Sequence, residues 1–243
     1  MMLGHLGRIR RKGRLGLLLV ASACANGVPA PAPRATSTSV VSASTPATAP
    51  AFEPEIAAIE ARDRADQPTH GGIVFVGSSS IRLWPDLASA FPNAPVLNNG
   101  FGGSTLPDVI YYTPLLVLPY APRLVVLYAG DNDLAAGRTP EQVLGDYTTF
   151  VRLVRQTLPA TRVVFISIKP SPSRWALAAP TREANALIAQ AIARDTLAAY
   201  VDVFTPMLGA SGRPRPELFR ADSLHMTPAG YALWRARLTP VIH

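Results

Sequence analysis

The stretch IVFVGSSSIRLW (73–84) passes from four apolar residues into a glycine and three consecutive serines. Its first part, IVFV (73–76), is apolar at every position, which is typical of a strand in a parallel sheet covered by helices on both faces. Four later stretches have a similar, mostly apolar composition: PVLN (95–98), RLVVLYA (123–129), RVVFISI (162–168) and YVDV (200–203). Together the five stretches predict five strands of one parallel sheet.

Helical patterns lie between these strands. The motif TPEQ (139–142) has the features of a capping box with proline at the first helical position, and TP (227–228) opens the last helix in the same way. Residues 181–197 predict another helix, because apolar side chains recur there along one face. The alternation of strands and helices predicts a single doubly wound α/β domain over residues 52–243.

Composition excludes several classes of protein and of site. Hydrophobic residues make up 48% of the chain, which is enough for a substantial core. The formal net charge is +7, but five basic residues and no acidic residue precede Cys24. The rest of the chain therefore gives no electrostatic reason to expect nucleic acid as a partner. Because Cys24 is the only cysteine, the domain after it has no disulfide, no thiolate zinc site and no cysteine nucleophile.

The N-terminal residues predict an export signal. The basic residues are followed by the apolar stretch LGLLLVASA (15–23), which is far shorter than the roughly 20 residues needed to span a bilayer. The motif LLLVASAC (17–24) resembles a bacterial lipoprotein signal, in which the chain is cut before a cysteine that then carries lipid. We therefore expect a signal peptide over residues 1–23, lipidation of Cys24 and a location in the bacterial cell envelope, lipid-anchored in the periplasm.

Two alternatives stay open at the N-terminus, because Ala21 stands where lipoprotein signals usually carry leucine. They are ordinary cleavage near Ala23 or Ala25 with release of a soluble secreted protein, and an uncleaved anchor. Residues 24–51 consist almost entirely of alanine, proline, serine, threonine and valine. This composition cannot bury enough apolar surface to fold, so the segment is predicted to be an extended tether.

Four loops predict a catalytic site at one edge of the sheet. They are GSSS (77–80), NGFGGS (99–104), GDND (130–133) and DSLH (222–225). The first three follow predicted strands, and ligands of open parallel sheets bind where the carboxyl ends of the strands converge. The loops supply a hydroxyl, glycine amides, a carboxamide and a carboxylate three residues before a histidine. Each loop alone is typical of a turn, but together they contain the parts of an acyl-transfer site.

The same four loops resemble the blocks of the SGNH hydrolase, or GDSL-like lipase and esterase, family over residues 72–241. The resemblance implies Ser79 as the nucleophile, because the family's serine stands two residues after the glycine of the first block. Ser78 occupies a position where the family often has aspartate. In the remaining blocks the resemblance implies Asn132, Asp222 and His225 as functional residues.

The resemblance also implies a fold and a mechanism. The fold is a three-layer α/β/α, flavodoxin-like arrangement, and the mechanism is that of a serine esterase with an acyl-enzyme and a Ser79–His225–Asp222 triad. The oxyanion hole consists of the backbone N–H groups of Ser79 and Gly103 and the side chain of Asn132, with Gly102 as the alternative to Gly103. Neither a cofactor nor a metal ion is implied.

Rival interpretations explain fewer of these motifs. An α/β-hydrolase needs G-x-S-x-G, whose second glycine is replaced by Ile81. A dinucleotide-binding loop needs G-x-G-x-x-G, whose third glycine is replaced by Thr105, and it leaves DSLH unexplained. A non-enzymatic glycan-binding envelope protein on the same fold remains an alternative, as does a lipase or lysophospholipase that acts on longer acyl chains.

The substrate is expected to be a small ester, lipid ester or acetylated glycan, with acetyl and other short acyl groups preferred. A lipase needs a deep apolar channel or a lid, and residues 169–179 and 204–221 carry no helix-length apolar stripe that would serve as one. The site is therefore predicted to be open. Trp84 and Trp175 are the candidates for its apolar rim, and either residue is equally compatible with a place in the core.

Overall fold

The domain is built on five parallel strands. The computed structural model describes residues 52–242, so the predicted signal, Cys24 and the tether lie outside the described residues. The strands, in chain order, are β1 (Ile73–Gly77), β2 (Val96–Gly100), β3 (Leu124–Tyr128), β4 (Arg162–Ile166) and β5 (Ala198–Val201). Their order across the sheet is β2-β1-β3-β4-β5, and every neighbouring pair is parallel. The predicted doubly wound, five-stranded parallel sheet is confirmed.

Helices precede, connect and follow the strands. In chain order they are α1 (Glu53–Asp66), α2 (Ser79–Arg82), α3 (Leu87–Ala90), α4 (Leu106–Leu116), α5 (Asp131–Ala135), α6 (Pro140–Thr157), α7 (Ala178–Ile192) and α8 (Pro228–Leu238). Among the described residues, no helix combines the length and the apolar character that crossing a membrane requires.

The helices cover both faces of the sheet. Val74 and Val76 of β1 belong to one buried cluster, together with residues of α1, α4, α6 and α7. Ile73 and Phe75 belong to a second cluster, which contains residues of α2, α3 and α8, including the fully buried Trp234. Successive side chains of a strand point to opposite faces, so this division is what a sheet between two helical layers requires. The three-layer α/β/α fold is confirmed.

The predicted helix starts are present, whereas one predicted helix has shifted. Thr139 accepts a hydrogen bond from the backbone N–H of Gln142 at 3.3 Å, and the Gln142 side chain accepts from the Thr139 N–H at 2.9 Å, so the capping box at α6 is confirmed. The helix predicted over residues 181–197 spans Ala178–Ile192 instead. It ends early because the chain turns at Asp195, whose carboxylate accepts the Leu197 N–H at 3.0 Å.

Candidate active site

The turn after β1 brings a single serine to the surface. Gly77 has a φ of +133°, and a Cβ at this position would lie 1.8 Å from the backbone oxygen of Tyr128. Only glycine therefore lets β1 pass so close to β3 at this point. Ser78 and Ser80 are buried, at 0% and 2% exposure, whereas Ser79 is partly exposed at the start of α2.

Ser79, His225 and Asp222 form a continuous hydrogen-bonded chain. Ser79 Oγ lies 3.1 Å from His225 Nε2, although the two residues are 146 positions apart in the sequence. On the other side of the ring, His225 Nδ1 lies 2.7 Å from Asp222 Oδ2. Both distances are within hydrogen-bonding range for a nucleophile, a base and the group that orients the base.

The loop of Asp222 is shaped to present its carboxylate to the histidine. Asp222 Oδ1 accepts the backbone N–H groups of Leu224 and His225, each at 2.9 Å, which leaves Oδ2 for the imidazole. Ser223, which lies between Asp222 and Leu224, has a left-handed φ of +57°. The hydrogen bond from the His225 side chain, followed by those from the backbone, holds the pKa of Asp222 well below its ordinary value. The carboxylate is therefore ionised at neutral pH.

The loop after β2 offers one glycine amide to the site. The Gly102 N–H donates to Glu55 Oε2 at 2.6 Å, so it is already engaged. Gly103 has a φ of +72°, and nothing lies within 4 Å of the position that its Cβ would take. Within residues 52–242, no acceptor for the Gly103 N–H is found. Of the two glycines named as alternatives, Gly103 is thus the one whose amide is available.

Asn132 lies at the start of α5 and faces the same loop. Its Nδ2 donates to the backbone oxygen of Ser104 at 3.0 Å. Its Oδ1 accepts from Arg174 Nη2 at 2.9 Å. An amide nitrogen carries two N–H groups, so one donor of Asn132 remains for a ligand. The structure thus brings the loop of Gly103 and the side chain of Asn132 to the carboxyl edge of the sheet, where Ser79 also lies.

Several supporting residues were not anticipated from the sequence. Glu55 reaches the loop of Gly102 from α1, and it also lies 3.6 Å from the guanidinium of Arg82. Asp133 Oδ1 accepts the Leu106 N–H at 2.9 Å, which joins α5 to the start of α4. Burial raises the pKa of Asp133 to about 7, and the charge of Asp131 adds to the effect. The two aspartates of the GDND loop (130–133) are the only feature of the sequence that could have indicated this structural role of Asp133.

The two tryptophans proposed for the substrate rim lie in different environments. Trp84 is 4% exposed, and its ring centroid lies 5.1 Å from that of Tyr231 and 6.0 Å from that of Trp234. The prediction of a rim position is wrong for Trp84, because this aromatic cluster places it in the core between β1 and α8. Trp175 is partly exposed and follows Arg174, the residue that contacts Asn132. Its rim role stays a prediction.

Comparisons with known proteins agree with this fold. The model of the GDSL-like Lipase/Acylhydrolase family matches residues 69–233. Curated proteins gave no match. A GDSL-like lipase from Bacteroides thetaiotaomicron has a similar structure, with 21% identity and a TM-score of 0.65 over 77% of this chain and 96% of that one.

Two further solved structures have the same fold. A lipase/acylhydrolase from Enterococcus faecalis is 22% identical, with a TM-score of 0.56 over 69% of this chain and 93% of that one. A mutant of an acetyl-xylooligosaccharide esterase from Geobacillus stearmophilus is 18% identical, with a TM-score of 0.55 over 72% of this chain and 96% of that one.

The chain belongs to the GDSL-like lipase/acylhydrolase family, also known as the SGNH hydrolases, because the family model covers most of its length. It is a hydrolase that acts on ester bonds. The prediction of family, fold and enzyme class from the four loops is confirmed.

Proposed function

We propose that the protein is a serine esterase in which Ser79, His225 and Asp222 are the catalytic triad. One observation carries this proposal: Ser79 Oγ lies 3.1 Å from His225 Nε2, while His225 Nδ1 lies 2.7 Å from Asp222 Oδ2. Ser79 is also the one serine of its turn that is exposed to a substrate, since Ser78 and Ser80 are buried. A serine is a weak nucleophile unless a positioned base accepts its proton.

The reaction has two halves. Ser79 Oγ forms a bond to the ester carbonyl carbon while His225 Nε2 accepts the hydroxyl proton. His225 then gives that proton to the alcohol oxygen as the carbon–oxygen bond of the ester breaks, which leaves an acyl group on Ser79. Water attacks this acyl-enzyme in the same way, and Ser79 recovers a proton as the carboxylic acid departs. Asp222 keeps the Nδ1 proton in place and stabilises the imidazolium.

The negative charge on the carbonyl oxygen needs donors in both halves of the reaction. Three are proposed: the N–H groups of Ser79 and Gly103 and the free N–H of Asn132. Ser79 is the first residue of α2, where helix geometry leaves the backbone N–H without an intrahelical partner. Neutral donors that are fixed beforehand stabilise the developing charge without reorganisation during the reaction.

The three adjacent serines provide a matched test of this triad. Ser79→Ala is expected to abolish hydrolysis of p-nitrophenyl butyrate, whereas Ser78→Ala and Ser80→Ala are expected to keep a substantial part of it. The hydroxyls of Ser78 and Ser80 are buried and have no hydrogen-bond partner among the described residues, so alanine removes no hydrogen bond. An inactive Ser78→Ala variant beside an active Ser79→Ala variant would show that the nucleophile is misassigned.

The substrate is proposed to carry an acetyl or other short acyl group, as a small ester or an acetylated glycan. The connections on either side of β5 contain only short 3₁₀ turns, Pro172–Leu177, Thr205–Met207 and Pro216–Leu218, and the helix α7 that forms part of the fold. None of these turns has the length of a lid. The structural likeness to an acetyl-xylooligosaccharide esterase is compatible with this substrate class.

Acyl-chain length is the measurement that tests the substrate class. We expect p-nitrophenyl acetate and butyrate to be hydrolysed with a higher kcat/KM than the palmitate, all measured as soluble monomers. Acetylated xylooligosaccharides then test whether a glycan ester is accepted. Faster hydrolysis of the palmitate would instead indicate a lipase or lysophospholipase.

The protein is further proposed to be exported to the bacterial cell envelope and lipidated at Cys24. The support comes from the sequence of residues 1–24, which lie outside the described residues. Cys24→Ser should release the exported protein from the membrane fraction. A wild-type protein that is wholly soluble in the periplasm or the medium would refute lipidation and leave the esterase proposal intact.

A further inference from the structure

The Asn132 side chain is held at both ends of its amide. Arg174 Nη2 donates to Oδ1 at 2.9 Å, and Nδ2 donates to the Ser104 backbone oxygen at 3.0 Å. If the amide were flipped, its nitrogen would face the guanidinium and its oxygen would face a carbonyl, so both contacts would become repulsive. The hydrogen-bonding partners therefore select one orientation, in which Nδ2 is adjacent to the loop of Ser104.

Arg174 is itself held by a buried charged pair. Arg174 Nη1 lies 3.3 Å from Asp131 Oδ2, and the same oxygen lies 2.9 Å from Lys169 Nζ. The Lys169 and Asp131 side chains are 1% and 8% exposed, and Lys169 also donates to the Tyr128 hydroxyl at 3.1 Å. Burial would raise the pKa of Asp131, but Lys169 and Arg174 outweigh this effect and lower it.

This group of three side chains has an excess of positive charge. The ionised Asp131 balances one of the two cations, so one positive charge remains beside Asn132. A fixed cation near an oxyanion stabilises it most strongly where water is excluded. The hydrogen bond from the guanidinium to Oδ1 also draws electron density from the amide, which makes the Nδ2 hydrogens better donors.

The segment that carries Arg174 contacts the histidine loop as well. Arg174 lies in the 3₁₀ turn Pro172–Leu177, where its own φ and ψ of −115° and 22° depart from helical values. Its neighbour Ser173 donates to the Ser223 backbone oxygen twice, from the backbone N–H at 3.1 Å and from the hydroxyl at 3.0 Å. One turn thus links Asn132 to the loop between Asp222 and His225.

We propose that Arg174 is a positioning residue of the oxyanion hole, which holds the Asn132 amide in its productive orientation and polarises it. The inference rests on the proposed function, since it gives a role to a residue that contacts Asn132 and not the substrate. Arg174 is predicted to act on the transition state through Asn132. Its removal should therefore lower kcat and leave KM nearly unchanged.

A double-mutant cycle on the full-length protein tests this role. Removal of one oxyanion donor typically lowers kcat by about 10²–10³, and Arg174→Met leaves the donor present but held only through Ser104, so we expect a decrease of about 10-fold to 50-fold. In an Asn132→Ala background, Arg174→Met should lower kcat by less than about twofold, because its partner is already absent. Full additivity of the two effects, or a rise in KM with kcat unchanged, would overturn the inference.

Two further variants distinguish positioning from a general loss of structure. Arg174→Lys keeps a positive charge near Asp131 but has no planar guanidinium to donate to Asn132 while it stays beside Asp131, so kcat should fall while the melting temperature is retained. Arg215→Met, which removes an exposed pair with Glu217, is the matched control and should keep full activity. Wild-type kcat in Arg174→Lys with an unchanged KM would refute the need for a guanidinium.

Ser79→Ala in the same assay separates this inference from the proposed function. If Ser79→Ala retains activity, the proposed triad fails whatever Arg174 does. If Ser79→Ala is inactive while the effects of Arg174→Met and Asn132→Ala add in full, the triad stands and the positioning role fails.

Discussion

Asp133 should make the stability of the domain fall as the pH rises towards 8. Its side chain is fully buried, and Oδ2 has no hydrogen-bond partner among the described residues. Burial raises its pKa from 3.8 to about 7. At 1.36 kcal/mol per pKa unit, this difference corresponds to about 4 kcal/mol of stability. The hydrogen bond that the carboxylate accepts from the N–H of Leu106 at the start of α4 opposes this rise in pKa, but its effect is smaller than that of burial.

The direction of the pH effect follows from which state binds more protons. Below pH 3.8 both the folded and the unfolded chains are protonated at Asp133, so this residue contributes no pH dependence. Between pH 3.8 and about 7 the unfolded chain ionises while the folded chain keeps its proton, and stability decreases with rising pH. Above this window the folded carboxylate is also ionised and the loss is complete.

Asp133→Asn tests this reasoning by chemical denaturation between pH 4 and pH 8.5. Asparagine keeps an acceptor for the Leu106 N–H and carries no charge. As the pH rises across this range, the free energy of unfolding of the variant should therefore increase by up to about 4 kcal/mol relative to that of the wild type. The variant also differs from the wild type by an amount of stability that does not depend on pH, because the new amide N–H groups are buried without partners. Glu141→Gln is the control. The hydrogen bond with Thr139 lowers the pKa of Glu141, so the difference in free energy of unfolding between this variant and the wild type should not change above pH 5. A difference for Asp133→Asn that stays constant from pH 4 to pH 8.5 would refute the account.

Three further predictions concern the oxyanion loops and the domain boundary. Asn132→Ala should lower kcat by about 10²–10³ with little change in KM, and a large KM effect at constant kcat would make it a substrate anchor instead. Glu55→Ala should lower kcat by about 10-fold, because Gly102 loses its acceptor, while Glu55→Gln should restore most of the activity. Deletion of residues 1–51 should preserve folding and kcat. Deletion of residues 1–66 should destabilise the domain, because it removes two core isoleucines of α1. Equal circular dichroism melting curves for the two deletions would contradict this domain boundary.

The sequence predicts the parts of this fold that depend on local pattern. Strand residues such as 73–76 are apolar at every position, and this pattern alone identifies a strand covered on both faces. Once the strands are placed, geometry requires their carboxyl ends to meet at one edge, so Ser79 and Asn132 were expected to converge. Helix ends were less predictable. The helix predicted over residues 181–197 ends at Ile192, because the chain turns at Asp195.

Contacts between distant side chains could not be predicted from the sequence. Glu55 is 47 positions from Gly102, and Arg174 is 42 positions from Asn132. Nothing in the local sequence of either charged residue indicates its partner, because the packing of α1 and of the turn Pro172–Leu177 decides it. For the same reason the sequence left Trp84 equally compatible with the rim and with the core. Its position after the nucleophile turn is compatible with a rim, and only the packing of α8 shows that it is covered.

The most direct test of the central claim is to locate the reactive serine. The protein should react with a fluorophosphonate, because only a serine activated by a neighbouring base attacks phosphorus readily. Tandem mass spectrometry of the digested product should place the adduct on Ser79, and His225→Ala should abolish labelling while the fold is retained. An adduct on Ser78 or Ser80, or efficient ester hydrolysis by a protein whose Ser79 remains unlabelled, would contradict the assignment of Ser79 as the nucleophile.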